Sequence, residues 1–142
     1  MNTIVVAVKG VIVHEGKVLI VQRSAYDEAG AGTWECPGGK LDFGEELESA
    51  LQREIHEETG MAVSVEKLLY AATFKTNSTR QVVILTYLCR STTGEVFLSG
   101  EHSNFLWAEK NDLVGLLSPG ILNDFYKNNV FDVIWRSDIY AV

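Results

Sequence analysis

The sequence of 142 residues contains little cysteine and little proline, and long apolar runs are absent. Its two cysteines, Cys36 and Cys89, form neither a CxxC pair nor the spacing of a zinc site, so we expect two reduced, mostly buried thiols. No stretch of 18 apolar residues occurs, which argues against a helical membrane span. We find no internal repeat, low-complexity tract or linker, and the length predicts a single domain over residues 1–142.

Positive charge is also scarce, because 12 Lys and Arg residues face 19 Asp and Glu residues and the net charge is -7. This balance argues against binding a nucleic acid polymer, which usually requires a basic face. A single nucleotide stays compatible, since bound cations can hold an anionic ligand on an acidic protein. The N-terminal run MNTIVVAVKGVIV has no cationic region before it and indicates a first strand rather than a signal peptide, which favours a cytoplasmic location.

The composition is otherwise that of an average globular protein, with 46% hydrophobic and 22% charged residues. β-Branched and alternating runs predict strands at residues 3–13, 18–22, 67–75, 80–90 and 105–108. Small residues and the Pro-Gly-Gly triplet predict a loop at 24–33 and a tight loop at 37–39. Helices are predicted at 45–59, with Gly60 as the C-terminal cap, at 112–117, and in the apolar tail from residue 121. This order predicts a mixed sheet, and we expect helices on both of its faces.

The helix predicted at 45–59 carries acids on its apolar side. On a wheel of about 100° per residue, that side contains Leu47, Ala50, Leu51 and Ile55. Glu54 and Glu58 fall among these apolar residues, and Glu57 lies at their edge. All three carboxylates are therefore predicted to point towards the body of the protein. The side predicted to face water carries Glu48, Ser49, Gln52 and His56.

Such a placement is costly, because buried carboxylates need a partner and the C-terminal half of a helix favours cations. Repulsion between Glu54, Glu57 and Glu58, which share one helix face, adds to the cost. A divalent cation would offset all three penalties, and carboxylate oxygens are natural ligands of Mg²⁺ or Mn²⁺. The competing interpretation is a solvated acidic face with salt bridges to Arg53 and to lysines. The shared apolar side favours the metal site.

Residues 39–61, GKLDFGEELESALQREIHEETGM, resemble the Nudix box, G-x5-E-x7-R-E-U-x-E-E-x-G-U with U apolar. All nine fixed positions match: Gly39, Glu45, Arg53, Glu54, Ile55, Glu57, Glu58, Gly60 and Met61. The preceding WECPGGK is similar to the segment found before the box in MutT-like members. The resemblance implies an α/β fold, namely an α/β/α sandwich with a central mixed sheet and a loop-helix-loop metal site. It also implies hydrolysis of a nucleoside diphosphate linked to another moiety.

The resemblance further implies roles for the residues of the box. Glu54, Glu57 and Glu58 would bind the metal, together with the backbone carbonyl of Gly38 or Gly39. Arg53 would orient these glutamates, and Glu45 would serve the loop and the start of the helix. MutT-like members often recruit one more acid from a later loop, for which the candidates here are Glu101, the preferred one, and Glu95 and Glu109. The neighbouring His102 is interpreted as a loop histidine rather than a ligand.

Substrate contacts have two interpretations each. Lys40 is a phosphate contact or a solvated lysine, and Arg23 is a nucleotide contact or a strand-end charge. Trp34 and Phe74 would stack on a base, although aromatic residues beside strands more often belong to the core.

The chemistry expected from this resemblance is attack of water on phosphorus, dependent on Mg²⁺ with Mn²⁺ as a substitute, with Glu54 or Glu101 as the base. The preferred substrate is a nucleoside triphosphate, oxidised or not, giving a monophosphate and pyrophosphate. Thr76 and Asn77 stand where ADP-ribose-specific members carry proline, and Ser78 and Thr79 where dinucleoside polyphosphate members carry tyrosine. The alternatives are a hydrolase of nucleotide sugars or dinucleotides, a non-catalytic nucleotide sensor and a structural metal-binding domain. A homodimer is the family-level expectation.

Overall fold

The computed structural model describes residues 1–25 and 30–135 of the chain. Its strands are β1 (Thr3–His14), β2 (Lys17–Arg23), β3 (Trp34–Glu35), β4 (Gly38–Lys40), β5 (Val63–Asn77), β6 (Arg80–Ser91) and β7 (His102–Ala108). Its helices are α1 (Leu47–Thr59), α2 (Lys110–Leu116), α3 (Pro119–Lys127) and α4 (Val130–Trp135). Within these described ranges no helix combines the length and the apolar character needed to cross a membrane.

The strands form one mixed sheet in the order β3-β2-β1-β6-β5, with β4 paired to β1 and β7 paired to β2. Strand β1 runs parallel to β6, from the pair Thr3 and Arg80 to the pair Val13 and Arg90. The other pairings, of β1 with β2 and β4, of β2 with β3 and β7, and of β5 with β6, are antiparallel. The predicted mixed sheet is therefore confirmed, and its centre is the long β1–β6 ladder.

The two faces of the sheet are covered by different helices. Because successive side chains of a strand point to opposite faces, Val8 and Ile12 of β1 pack on the side of α1, and Val11 and Val13 pack on the other side. The α1 side is closed by Ala50, Leu51 and Ile55, and the other side by Leu113, Phe125, Val130 and Phe131. The expected helices on both faces are thus confirmed.

Close approach of α1 to the sheet depends on Gly10. A Cβ at this position would lie 3.0 Å from Ile55 Cδ1 and 3.3 Å from Cys89 Sγ. The absence of a side chain lets the apolar face of α1 rest directly on β1, which fixes the height of the helix above the sheet.

Several boundaries differ from the prediction, and three of these differences concern α1, the segment before it and β7. Helix α1 begins at Leu47 rather than residue 45, because the Glu45 side chain accepts a hydrogen bond from the Asp42 backbone N–H and is held by Arg53. The segment 38–40 is a short strand paired with β1, so the tight loop predicted at 37–39 was wrong. Strand β7 begins at His102 rather than residue 105, because it continues its pairing with β2 as far as Arg23.

Both cysteines are free and buried, as predicted. Burial raises the pKa of the Cys36 thiol to about 12 and that of the Cys89 thiol to about 12. Protonated thiols of this kind behave as small apolar side chains, so neither cysteine is expected to act as a nucleophile.

Phe125 is the largest fully buried side chain, and its ring makes edge contacts with Tyr70 and Phe131. We expect Phe125→Ala to lower the free energy of unfolding by about 3–5 kcal/mol, because the cavity is lined from several sides and cannot collapse. Urea unfolding followed by circular dichroism measures this loss. The matched control is Phe43→Ala, since Phe43 is fully exposed and its removal should change stability by less than about 0.5 kcal/mol. Equal losses in the two variants would contradict this packing.

Candidate active site

The three glutamates of α1 differ strongly in exposure. The side chain of Glu58 is buried, that of Glu54 is 17% exposed, and that of Glu57 is 58% exposed. The wheel therefore placed Glu54 and Glu58 correctly, whereas Glu57 projects into solvent instead of towards the body of the protein. The edge position of Glu57 on the wheel is the reason for this difference, since a small rotation of the helix carries an edge residue outward.

Arg53 holds the exposed end of this acidic group. Its guanidinium makes two hydrogen bonds to the Glu45 carboxylate, at 2.7 Å from Nε and 2.8 Å from Nη2. Its Nη1 lies 3.1 Å from Glu54 Oε1 and 3.3 Å from Glu57 Oε2. Arg53 is itself anchored by the Glu45 carboxylate and thus fixes the positions of two glutamates of the box, Glu54 and Glu57. This is the geometry that an orienting role requires.

Glu45 connects this arginine to the loop that precedes α1. It accepts a hydrogen bond from the Asp42 N–H at 2.8 Å, and Arg53 Nη2 also donates to the Lys40 carbonyl at 3.3 Å. The hydrogen bond from Arg53 lowers the pKa of Glu45 to about 2, so this carboxylate is ionised at neutral pH. The loop and the helix are consequently joined by one charged cluster.

The two glycines before the box bring backbone against the glutamates. The N–H of Gly38 donates to Glu58 Oε2 at 3.2 Å. A Cβ on Gly38, whose φ is +150°, would collide with the Val8 carbonyl oxygen, and one on Gly39 would collide with the Glu54 carboxylate. Gly38 therefore requires glycine, and at Gly39 the Glu54 carboxylate occupies the place that a side chain would take. The metal-binding role of the glycine carbonyls stays a prediction.

A second segment reaches the glutamates because it caps α1. The last carbonyls of a helix lack partners within the helix, and here the Ser99 N–H donates to the Glu58 carbonyl at 3.0 Å and the Phe97 N–H to the Thr59 carbonyl at 2.8 Å. Gly60, with a φ of +73°, ends the helix as predicted. These bonds hold the chain before β7 against the end of α1.

This capping places Glu101 and His102 beside Glu58. One ligand atom from each of these three residues lies within 4.8 Å of the others. The charge of Glu101 also acts on Glu54. Of the acids proposed from later loops, Glu101 is thus brought to the site, whereas Glu109 caps α2 together with Asp112. The compact group consists of Glu58, Glu101 and His102, whereas the prediction grouped Glu58 with Glu54 and Glu57. Those two glutamates are instead held by Arg53.

The interpretation of His102 as a loop histidine was wrong. His102 is the first residue of β7, its side chain is 3% exposed, and its Nε2 lies 3.0 Å from Glu35 Oε2. Its Nδ1 is buried and has no hydrogen-bond partner among residues 1–25 and 30–135. Nothing in a single Glu-His dipeptide shows such burial, which results from the pairing of β7 with β2.

Sequence reasoning missed Lys9 and Glu35, which connect the carboxylates to the interior. Glu35 lies 3.4 Å from Lys9 Nζ, 3.2 Å from Arg23 Nε and 3.0 Å from His102 Nε2. Burial alone would raise the pKa of Glu35, but the His102 hydrogen bond and the charges of Lys9 and Arg23 lower it to about 2. A lysine in the middle of an apolar strand was the signal that could have indicated this cluster.

A cavity of about 560 Å³ opens on the sheet face opposite α1. Lys9 and Glu35 line one end, and the wall residues include Tyr70, Phe74, Ile84, Thr86, Asn123 and Asp124. Phe74 therefore lines a cavity, as a stacking role requires. Trp34 packs against the core around Phe125 instead, Arg23 pairs with Glu35, and Lys40 lies exposed at the end of β4.

The carboxylates retain an electrostatic cost in the folded protein. Burial raises the pKa of Glu58 to about 7, although Lys9 and the Gly38 N–H oppose this rise. Burial also raises the pKa of Glu54, with Glu57 and Glu101 adding to the effect against Arg53. Carboxylate oxygens and a buried imidazole nitrogen that has no partner among the described residues together fit a divalent cation.

This cost has a measurable consequence for the protein stripped of cations. A carboxyl whose pKa is raised by folding binds a proton that the unfolded chain has lost, so stability falls as pH rises from about 4.5 to 7. We expect Glu58→Gln to raise the free energy of unfolding at pH 8 by about 1–3 kcal/mol and to leave it nearly unchanged near pH 4. Urea unfolding with a chelator present tests this, and a loss of stability at pH 8 would contradict it. Glu57→Gln is the control, because Glu57 is exposed.

Comparisons with known proteins agree with this geometry. Residues 2–127 match the model of the NUDIX domain family. Over 109 residues the chain is 37% identical to a MutT-like protein of Streptomyces ambofaciens, a match covering 76% of this chain and 66% of that protein. It is 48% identical over 64 residues to a protein of Mycobacterium tuberculosis named as a putative 8-oxo-dGTP diphosphatase, covering 45% of this chain and 43% of the relative. The chain thus spans about two thirds of the first relative and less than half of the second.

The fold is shared with solved structures. The crystal structure of a MutT protein from Methanosarcina mazei Go1 superimposes with a TM-score of 0.77 at 25% identity, over 96% of each chain. The complete box, the mixed sheet between helices and the family match over residues 2–127 lead to one conclusion. The chain belongs to the NUDIX family, the Nudix hydrolases, whose members cleave phosphorus-containing acid anhydrides.

Proposed function

We propose that the chain hydrolyses a phosphoanhydride bond of a nucleoside diphosphate derivative, with Mg²⁺ as its cation and Mn²⁺ as a substitute. The observation that carries this proposal is the convergence of carboxylates from two separate segments, Glu54 and Glu58 from α1 and Glu101 from the chain before β7. Lys9 and Glu35 border both this group and the cavity of about 560 Å³. A volume of this size suits a nucleotide-sized ligand.

Glu54, Glu57, Glu58 and Glu101 would hold the cation, with a carbonyl of Gly38 or Gly39. A bound divalent cation supplies Lewis acidity and neutralises phosphate charge. The protein contributes the orientation of the carboxylates, through Arg53 for Glu54 and Glu57 and through the Gly38 N–H for Glu58. Holding these groups in place before substrate arrives reduces the reorganisation that the reaction requires.

Two carboxylates stand as candidates for the general base, Glu54 and Glu101. Burial raises the pKa of Glu54, and a carboxylate with a raised pKa is a better proton acceptor at neutral pH. Glu101 lies close to Glu58 and is exposed, so it also has access to water. Glu58 is less suited to the role, because it is buried and already accepts the Gly38 N–H.

For the substrate we propose a nucleoside triphosphate, in its ordinary or oxidised form, cut to a monophosphate and pyrophosphate. Phe74 and Tyr70 give the cavity an aromatic wall on which a base can stack, and the phosphate chain would extend from the Lys9 end towards the carboxylates. The name of the Mycobacterium tuberculosis relative supports this class. We place the reaction in the cytoplasm, where buried thiols such as Cys36 and Cys89 stay reduced.

Release of products from a panel of nucleotides tests the activity itself. We expect purified protein with Mg²⁺ to release pyrophosphate from nucleoside triphosphates faster than it cleaves ADP-ribose, nucleotide sugars or dinucleoside polyphosphates. Product identification by ion-pair chromatography locates the bond that is cut. Binding of nucleotide without turnover across the whole panel would instead identify a sensor, and binding of metal alone would identify a structural domain.

Removal of one box carboxylate tests the assignment of the cation site. We expect Glu57→Gln to lower kcat on the order of 100-fold, because a ligand of the cation is lost while the exposed side chain leaves the fold intact. Steady-state kinetics at saturating Mg²⁺ measures the loss. The control is Glu48→Gln, an exposed glutamate on the water-facing side of α1, which should leave turnover unchanged. Unchanged turnover in Glu57→Gln would contradict the assignment of Glu57 as a ligand of the cation.

The role of Phe74 has a matched control on the same strand. We expect Phe74→Ala to raise KM about 10-fold, because stacking of a base on an aromatic ring contributes roughly 1–3 kcal/mol. Leu68→Ala serves as the control, since Leu68 is also 48% exposed on β5 and does not line the cavity. The same KM in Phe74→Ala and Leu68→Ala would show that the base binds elsewhere and would contradict the stacking role of Phe74.

A further inference from the structure

His102 carries a ring nitrogen, Nδ1, that lies buried in the fold. The side chain is 3% exposed, and Nδ1 has no hydrogen-bond partner among the described residues. A buried polar atom without a partner costs about 1–3 kcal/mol, so such an atom usually has a function or an additional ligand. The other nitrogen, Nε2, is already engaged with Glu35 at 3.0 Å.

The surroundings of Glu35 decide which nitrogen carries the hydrogen. Glu35 receives Lys9 at 3.4 Å and Arg23 at 3.2 Å in addition to His102, so it acts as a carboxylate that accepts hydrogen bonds. Nε2 must therefore donate, and in the neutral ring Nδ1 is left with a lone pair. This is the arrangement by which proteins orient a histidine towards a metal, with a carboxylate behind the distal nitrogen.

The positions of the neighbouring donors agree with a shared ligand. Ligand atoms of Glu58, Glu101 and His102 lie within 4.8 Å of one another. Glu58 and Glu101 approach from the end of α1 and from the chain before β7, and both segments are tied together by the Ser99 N–H bond to the Glu58 carbonyl. Donors about 2.1 Å from one cation are spaced by roughly 3–4 Å, a separation that small side-chain movements reach from these positions.

We propose that His102 binds a divalent cation through Nδ1, together with Glu58 and Glu101, and that this nitrogen gives a site that also takes Mg²⁺ a higher affinity for transition cations. Imidazole suits Co²⁺, Zn²⁺ and Fe²⁺ better than it suits Mg²⁺, which requires oxygen donors. The inference rests on the proposed function for its carboxylate site. It adds the nitrogen ligand, the role of Glu35 as the group that orients it, and the selectivity for the cation.

The test uses Co²⁺ alone, added to untagged protein from which other cations have been removed. We expect proton NMR in H₂O to show one strongly shifted resonance that disappears in D₂O, from the Nε2–H that Glu35 keeps on the coordinated ring. His102→Gln should abolish this resonance and weaken Co²⁺ binding at least about 10-fold, with less than about 2-fold change for Mg²⁺, as measured by calorimetry. His56→Gln, on the water-facing side of α1, should retain both.

The wild-type spectrum with Co²⁺ tests the nitrogen ligand even if His102→Gln does not fold. A double variant, His14→Gln with His56→Gln, leaves His102 as the single histidine, and the shifted resonance must persist there. Bound Co²⁺ without that resonance overturns the nitrogen ligand, and hydrolysis of nucleotides with Mg²⁺ would show that the proposed function stands. Absence of any Co²⁺ or Mg²⁺ binding overturns the inference and the proposed cation site together.

Discussion

Repulsion between carboxylates at the C-terminal end of α1 is the constraint on which the rest of the site depends, because the neighbouring residues offset its cost. Glu54, Glu57 and Glu58 share one helix end whose dipole disfavours anions, and Glu58 is buried there with a pKa raised to about 7 by burial. Arg53 offsets part of this cost on the exposed side, from a position fixed by Glu45. On the buried side the Gly38 N–H and the charge of Lys9 offset another part. The remaining cost lowers the stability of the fold, and under the proposed function a bound cation would offset it.

Backbone hydrogen bonds bring the members of this carboxylate group together. Strand β4 pairs with β1, which brings the glycines against Glu54 and Glu58. The unpaired carbonyls at the end of α1 accept the N–H groups of Phe97 and Ser99, which brings Glu101 to the same place. Two segments that are distant in sequence thus meet at one point through ordinary strand pairing and helix capping. The position of the carboxylates therefore follows from these backbone hydrogen bonds.

Local rules in the sequence account for much of this, and their limits are physical. Helical periodicity located α1 and the inward direction of Glu54 and Glu58, because both follow from 3.6 residues per turn. Periodicity has low resolution at the edge of a stripe, and Glu57 was misplaced for that reason. The burial of His102 and its contact with Glu35, 67 residues away, depend on the register of β7 on β2. No local pattern encodes that register, so Lys9 within its apolar strand indicates a buried charge, whereas its grouping with Glu35 and His102 emerges only in the folded sheet.

Under the proposed function, the residues of the box carry out the chemistry and the residues of the cavity select the substrate. The box ends at Met61, and it supplies the carboxylates of α1, the arginine that orients two of them and one of the two glycines. The aromatic and polar walls of the cavity come from β5, β6 and α3, at Tyr70, Phe74, Thr86 and Asp124. A match to the box therefore constrains the bond that is cut and says little about the group attached to it. Glu35 and Lys9 line the cavity and also act on Glu58 through their charges, so under the proposed function a change in either alters cation binding and substrate binding together.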